Sequence, residues 1–170
     1  MTGSSLSYMS ASRVLPAAAC TAILALLIVA WPAPGQGRAS RCHAEISRAV
    51  LPVWARAGFS DPRPRIPHVL GHSGQIVAVV FGYPLRSPPA PRRNNKILWV
   101  SRTRPQTSAA LWIRAQRMAG ERSVGAPVRR IVAGGPGPSL VDVPEPGCWR
   151  VTLRWSGRVD TLDLAYGTGN

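Results

Sequence analysis

The sequence has few acidic residues, and this scarcity narrows the functions it can perform. Of its 170 residues only 7 are Asp or Glu, against 21 that are Lys or Arg, so the formal net charge is +14. Carboxylates are common general acids and bases and the main protein ligands of hard metal ions, so both kinds of chemistry have few candidate residues here. Sequence motifs of a nucleophile elbow, a phosphate-binding loop or a zinc protease are also missing. We therefore expect a protein that is not an enzyme and that has no metal and no cofactor.

Cysteine is also scarce, with three residues in the chain. No Cys-x-x-Cys pair exists, and the three histidines lack the spacing of zinc ligands. Cys20 lies inside an apolar run near its start, which is a poor position for lipid attachment. Cys42 and Cys148 remain as a pair, and in an oxidising compartment they predict one disulfide bond. The alternative is that they are two separate buried thiols.

Long hydrophobic runs are limited to one, at residues 14–31, and Arg13 is the only charged residue before it. Its core is shorter than the roughly 20 residues that cross a bilayer comfortably. A basic start, an apolar middle and a small-residue exit are typical of a secretory signal. Cleavage is expected before Gln36, with a second option after residue 39. An uncleaved single-span membrane anchor and a buried core helix are the alternatives.

The chain after this leader predicts one all-β domain. We assign residues 1–35 to the signal peptide or membrane anchor and residues 36–170 to a β-sandwich of about 7–9 strands, because short β-branched runs alternate with Pro/Gly turns. Residues 44–57 are the one helix candidate, and Pro52 argues against it. The strands are expected at residues 42–49, 75–81, 96–101, 110–116, 128–132, 139–143, 148–155 and 159–166.

The clearest structural signal is a hairpin formed by the last two predicted strands. Apolar and polar residues alternate from 148 to 155, which places Trp149 and Trp155 on a buried face and the arginines between them on the other. A two-residue turn at residues 156–157 then pairs Arg150 with Asp163 in an exposed ion pair. The same register turns Asp160 inward, which requires a bulge or a hydrogen-bonding role for its carboxylate.

Arginine is abundant: 20 of the 21 basic residues are Arg, and Lys96 is the only lysine. Two interpretations stay open. The charge is a solvated basic surface that reflects genomic codon bias, or it attracts an anionic partner such as an envelope polymer or a lipid headgroup. Nucleic acid is not expected, because no aromatic–basic binding motif appears in an exported chain. The candidate positions for anion binding are Arg92, Arg93, Arg129 and Arg130.

Three further tryptophans have two interpretations. Trp54, Trp99 and Trp112 are expected to pack in the core, since large aromatic side chains carry much of the burial in a small sandwich. The alternative is that they line a site for a carbohydrate or aromatic ligand. His72 next to Ser73 indicates a β-turn rather than a catalytic pair.

The stretch PGCWRVTL at residues 146–153 resembles the last strands of small exported bacterial proteins of immunoglobulin-like type. Residues 51–59 and 95–100 are similar to segments of uncharacterised actinobacterial envelope proteins. The resemblance implies an immunoglobulin-like β-sandwich in the cell envelope, and it brings no catalytic residues with it. The Cys…Trp…Cys spacing of antibody domains is absent.

The sequence thus favours an exported, non-enzymatic envelope module with a binding or structural role. The second hypothesis is a membrane-tethered domain that binds an anionic lipid, polymer or protein through its Arg-rich surface. The third is an enzyme of unrecognised type, because a fold does not determine a function.

Overall fold

The computed structural model describes residue 42, residues 44–104 and residues 109–169, and this part of the chain is all-β. Its helical content is one 3-10 turn at Val53–Ala55. The predicted all-β class and strand number are confirmed. The nine strands are β1 (His68–Leu70), β2 (Ile76–Val80), β3 (Arg86–Ser87), β4 (Lys96–Ser101), β5 (Leu111–Ala119), β6 (Arg122–Val132), β7 (Pro138–Leu140), β8 (Gly147–Trp155) and β9 (Arg158–Thr168).

The strands form two sheets, as a sandwich requires. One sheet has four strands in the order β1-β2-β4-β7, and the other has five in the order β3-β9-β8-β5-β6. Neighbours are antiparallel except for β3 and β9, which are parallel. Alternate side chains of both sheets meet in one core. The core includes Ile76, Ala78, Val80, Ile97, Trp99, Ile113, Trp149, Val151, Leu153, Leu162 and Tyr166.

The segment before β1 covers the outer face of the four-stranded sheet. Leu51 and Ala55 pack with Val77 and Val79 in a second, smaller core. Strand β2 is therefore buried on both faces, and every one of its residues is buried. Burial on two faces explains why the sequence of this strand is continuously apolar rather than alternating.

The strand expected at residues 42–49 is absent: the described residues of this segment have an isolated bridge between Ser47 and His68 and no strand. The helix considered for residues 44–57 is also absent, in agreement with the argument from Pro52, which precedes a short 3-10 turn. Proline lacks the N–H that a continuous helix needs at this position. The short strands β1 and β3 were not foreseen, because two or three residues are too few to show a periodic pattern.

The hairpin of β8 and β9 has the predicted register. Arg150 is opposite Asp163, and Leu153 is opposite Asp160. Ser156 and Gly157 both have positive φ values, 43° and 72°, as a two-residue hairpin turn of type I′ needs. One expectation is corrected: the Arg150–Asp163 ion pair is not fully exposed, because Asp163 is only 2% exposed.

The inward-facing Asp160 has the hydrogen-bonding role that its position requires. Its carboxylate is buried and accepts hydrogen bonds from the backbone N–H groups of Ser73, Gln75 and Thr161, at 3.0, 2.9 and 2.8 Å. Gly71 contacts this carboxylate so closely that a Cβ at position 71 would collide with it. Asp160 therefore fastens the β1–β2 turn to β9.

Cys42 and Cys148 form a disulfide bond with a Cα–Cα distance of 5.2 Å. It joins the first described residue of the chain to the second residue of β8 and closes a loop with a sequence separation of 106 residues. Disulfide bonds of this kind are typical of oxidising compartments.

The predicted leader at residues 1–35 lies outside the described residues. Within the described ranges, no helix has the length and apolar character that crossing a bilayer demands.

Candidate binding site

The outer face of the five-stranded sheet carries the most exposed apolar side chains of the strands in that sheet. Trp112 and Ile131 are each 57% exposed, and Val159 is 47% exposed. They lie on three different strands, β5, β6 and β9. On the opposite side of the sandwich the segment before β1 covers the two central strands, β2 and β4, and leaves Leu70 and Leu140 on the flanking strands about half exposed. Trp112 is the largest of the exposed apolar side chains of the five-stranded sheet, and it marks the candidate site.

The strand register places these residues in one transverse row. Such a row crosses four strands that are spaced about 4.8 Å apart, so it is about 15 Å long. The first row, from β6 to β9, is Ile131, Trp112, Arg154 and Val159. The second row, two residues further along each strand, is Arg129, Arg114, Thr152 and Thr161.

An open surface cavity of about 770 Å³ lies over the part of the two rows that belongs to β6, β5 and β8. We call it the arginine groove. Trp112 and Ile131 supply its main apolar walls. Among the described residues, four arginines and no acidic residue line it, so this lining has one sign of charge. Its lining residues are Trp112, Ile113, Arg114, Arg129, Arg130, Ile131, Thr152 and Arg154.

The arginines of the groove have no carboxylate partner among the described residues. The two salt bridges in that part of the chain are Arg117–Glu145 and Arg150–Asp163, and neither reaches the groove. Arg114 donates to the Gln116 Oε1 at 2.8 Å. Arg130 donates to the backbone carbonyl of Arg129 at 2.9 Å. Each guanidinium has five N–H donors, so most of the donors in the groove are left for solvent or a ligand.

Arg114 and Arg129 are directly opposite each other on β5 and β6. Side chains in this relation have Cβ atoms about 4.5–5.5 Å apart, and like charges placed so are destabilising. Arg154 is opposite Trp112, which makes it a diagonal neighbour of Arg114. The sheet thus holds three cations close together, and a bound anion would reduce the repulsion between them.

The four arginines proposed from the sequence lie in two separate places. Arg129 and Arg130 line the groove. Arg92 and Arg93 are exposed in the loop between β3 and β4, and β3 and β6 form opposite edges of the five-stranded sheet. The structure therefore does not bring the two pairs together. Of the four arginines proposed from the sequence, Arg129 and Arg130 are the ones that line the groove.

The tryptophans also separate into two groups. Trp99, Trp149 and Trp155 are at most 2% exposed and belong to the core. Trp54 packs on the second core. Core packing is wrong for Trp112, whose side chain lines the groove instead. Alternation in residues 111–115 is the signal for this: Leu111, Ile113 and Ala115 face inward, so Trp112 and Arg114 face outward.

Outside the groove, Tyr166, Arg150 and His72 have structural partners. The buried Nε1 of Trp155 has no hydrogen-bond partner among the described residues. The Tyr166 hydroxyl donates to the carbonyl of Val141 at 2.7 Å, and burial raises its pKa, with a smaller contribution from the negative charge of Asp142. The Arg150 guanidinium has a raised pKa, chiefly because it is hydrogen-bonded to Asp163. His72 lies in the β1–β2 turn, with its Nδ1 3.1 Å from the Thr161 hydroxyl. Among the residues with described positions, no three His, Cys, Asp or Glu side chains form a metal-binding group.

Comparisons with protein-family models, with curated proteins and with solved structures gave no match for this chain. The geometry of the arginine groove is therefore the basis on which a function is assigned.

Proposed function

We propose that this protein is a non-enzymatic binding domain of the cell envelope that holds an anionic ligand in the arginine groove. The observation that carries the proposal is the cluster of Arg114, Arg129 and Arg154 around the exposed Trp112, with no neutralising carboxylate among the described residues that line the groove. A basic surface that served solubility alone would need neither concavity nor an exposed tryptophan at its centre.

The proposed fold family is immunoglobulin-like. Support comes from the order β9-β8-β5-β6, which corresponds to strands G, F, C and C′ of a variable-type domain. The order β2-β4-β7 then corresponds to strands A, B and E of the other sheet. The disulfide departs from the antibody pattern, because Cys42 precedes the first strand of both sheets. The tryptophan on β5 also departs from it, because Trp112 is exposed.

The proposed location is extracellular or envelope-bound, with residues 1–35 as a cleaved signal or an uncleaved anchor. The disulfide and the apolar run at residues 14–31 support export. Intact-mass measurement of the protein from its native host tests this. A mass lower by residues 1–35 indicates a signal peptide, and the full mass in a membrane fraction indicates an anchor. The full mass in a soluble cytoplasmic fraction would contradict export.

The binding proposal is tested with a polyanion at two salt concentrations. The screening length falls from about 10 Å at 0.1 M salt to about 3 Å at 1 M salt, so binding through the groove should weaken steeply. The double variant Arg129→Glu/Arg130→Glu should lose at least about tenfold in affinity at 0.1 M salt, equivalent to ~1.4 kcal/mol.

The matched control is Arg92→Glu/Arg93→Glu, which makes the same change in net charge on exposed arginines away from the groove. It should retain affinity within about threefold, an effect of long-range charge only. If the control loses as much affinity as the groove variant, the attraction depends on net charge and the groove has no special role. Equal binding by the wild type at both salt concentrations would contradict the proposal altogether.

A further inference from the structure

We infer that the ligand of the arginine groove is an acidic polysaccharide, with a sugar ring stacked on Trp112 and its carboxylates paired with the surrounding arginines. This inference rests on the proposed function and names the chemistry of the ligand. The groove combines two features that such a polymer requires. One is a flat, exposed aromatic ring, and the other is several guanidinium groups around it.

The distribution of charge favours a repeating anion over a single small one. Arg129 and Arg114 lie on adjacent strands, and Arg154 lies on the strand beyond. They extend over two strand spacings, about 10 Å. One carboxylate can pair with one guanidinium in a bidentate manner. Three separated guanidiniums therefore match a chain that presents carboxylates at intervals.

The concave shape of the groove disfavours a lipid bilayer. Membrane-binding surfaces insert an apolar face into the headgroup region, and an inserting side chain has to project beyond its neighbours. Here Trp112 and Ile131 line a cavity of about 770 Å³, and arginines line the same cavity. A polymer chain can enter this cavity, whereas a flat bilayer meets its rim.

The single aromatic ring disfavours single-stranded nucleic acid. Proteins that bind such strands stack successive bases on several aromatic side chains along a basic channel. In the part of the chain that the structure describes, Trp112 is the one aromatic residue that lines the groove. An alternation of one stacked ring with flanking charges suits a sugar acid better than a row of bases.

The edge of β6 is a poor template for an acidic peptide strand. Gly125 has a φ of 68°, and Pro127 removes a backbone donor. The pairing of β5 and β6 shifts between Ala115 and Arg117, where Gln116 donates to the carbonyls of Val124 and Gly125. Bulges and prolines of this kind protect an edge from pairing with another chain.

The test is calorimetric titration of the full chain with oligomers of galacturonic acid, using their methyl-esterified form as the neutral counterpart. Polyglutamate, single-stranded oligothymidylate and phosphatidylglycerol vesicles serve as anions of other classes. We expect the acidic oligomer to bind most tightly. Its methyl ester has no carboxylate charge to pair with the arginines, so it should bind at least about tenfold more weakly, which corresponds to ~1.4 kcal/mol.

The discriminating variants change Trp112. Trp112→Ala should weaken binding of the galacturonate oligomer about tenfold, and Trp112→Tyr, which keeps a stacking ring, should retain affinity within about threefold. Polyglutamate offers no ring to stack on Trp112, so Trp112→Ala should weaken its binding by a smaller factor than it weakens binding of the galacturonate oligomer. Because Trp112 is 57% exposed, both variants should keep the thermal midpoint of the wild type, which shows that the fold is intact.

The outcomes separate the two proposals. If no anion binds with salt sensitivity, the proposed function fails and this inference fails with it. If polyglutamate, oligothymidylate or vesicles bind as tightly as galacturonate, anion binding stands and the polysaccharide assignment is overturned. It is also overturned if Trp112→Ala leaves galacturonate binding unchanged.

Discussion

Replacing Asp160 should reveal how much one buried carboxylate contributes to this fold. Its two oxygens accept three backbone hydrogen bonds, from Ser73, Gln75 and Thr161. Hydrogen bonds to a charged group contribute about 1.5–3 kcal/mol each, and desolvation of the carboxylate offsets part of the sum. We expect Asp160→Ala to lower the free energy of unfolding by about 3–5 kcal/mol, because it leaves three donors without an acceptor.

The isosteric Asp160→Asn should cost less, about 1–3 kcal/mol, since the amide keeps one acceptor oxygen and loses the charge. Domains of this size have about 5–15 kcal/mol of stability, so both variants should still fold. The matched control is Asp61→Ala: Asp61 is exposed and accepts one backbone hydrogen bond, from Arg63 at 2.7 Å. It should cost under about 1 kcal/mol. Urea denaturation followed by tryptophan fluorescence measures all three.

The pH dependence gives an independent check. Burial raises the pKa of Asp160, but the hydrogen bonds from Ser73, Gln75 and Thr161 outweigh it, so the pKa lies below its ordinary value. A lowered pKa means that the carboxylate stabilises the fold fully above its unfolded value of about 3.9 and loses this effect as the pH falls through the folded value. Asn does not titrate, so the gap between wild type and Asp160→Asn should narrow below about pH 4. A constant gap, or a cost of Asp160→Ala no larger than that of the Asp61 control, would refute this account.

Two further predictions concern the hairpin and the disulfide. Trp149→Ala should lower the free energy of unfolding by roughly 3–5 kcal/mol, because it leaves a cavity in the core. Arg150→Ala should lower it by about 1–3 kcal/mol, because Asp163 stays buried without its cation. If denaturant melts show a larger loss for Arg150→Ala, the ion pair contributes more than the core tryptophan. Replacing Cys42 and Cys148 by serine should lower the free energy of unfolding by on the order of 4 kcal/mol, as the chain-entropy account gives for a loop of this length, and an unfolding curve that dithiothreitol does not shift in the wild type would contradict this.

The hairpin could be predicted residue by residue because its information is local. Alternation fixes the faces of β8, the Ser156–Gly157 turn fixes the register, and together they place Asp160 opposite Leu153. What the sequence left open was the partner of Asp160, since Ser73 and Gln75 are more than 80 residues away along the chain. Such contacts depend on which turn packs against β9, which no local pattern reports.

The arginine groove could be predicted only in part, because it is assembled by strand order. Arg129 and Arg130 are visible in the sequence as an adjacent basic pair. Arg154 lies near them only because strand β5 lies between β6 and β8 in the sheet. That order skips β7, which joins the other sheet. Residue type alone favours the core for Trp112, but the alternation of its own strand places it on the outer face.

The cross-strand pair of Arg114 and Arg129 leads to a last prediction, in which stability and binding change in opposite directions. These like charges are directly opposite each other on an open face, and such pairs are destabilising. Arg129→Glu replaces repulsion with an ion pair, so it should raise the free energy of unfolding by about 0.2–1 kcal/mol. The same change places a carboxylate inside the groove, and it should weaken polyanion binding. Arg129→Gln, which removes the charge alone, should have a stability and a polyanion affinity between those of the wild type and Arg129→Glu.

Denaturant melts and polyanion titrations on the three proteins test this prediction. If Arg129→Glu is less stable than the wild type, Arg129 has a favourable structural contact and its charge needs no ligand to explain it. If Arg129→Glu is more stable and still binds fully, the anion lies elsewhere.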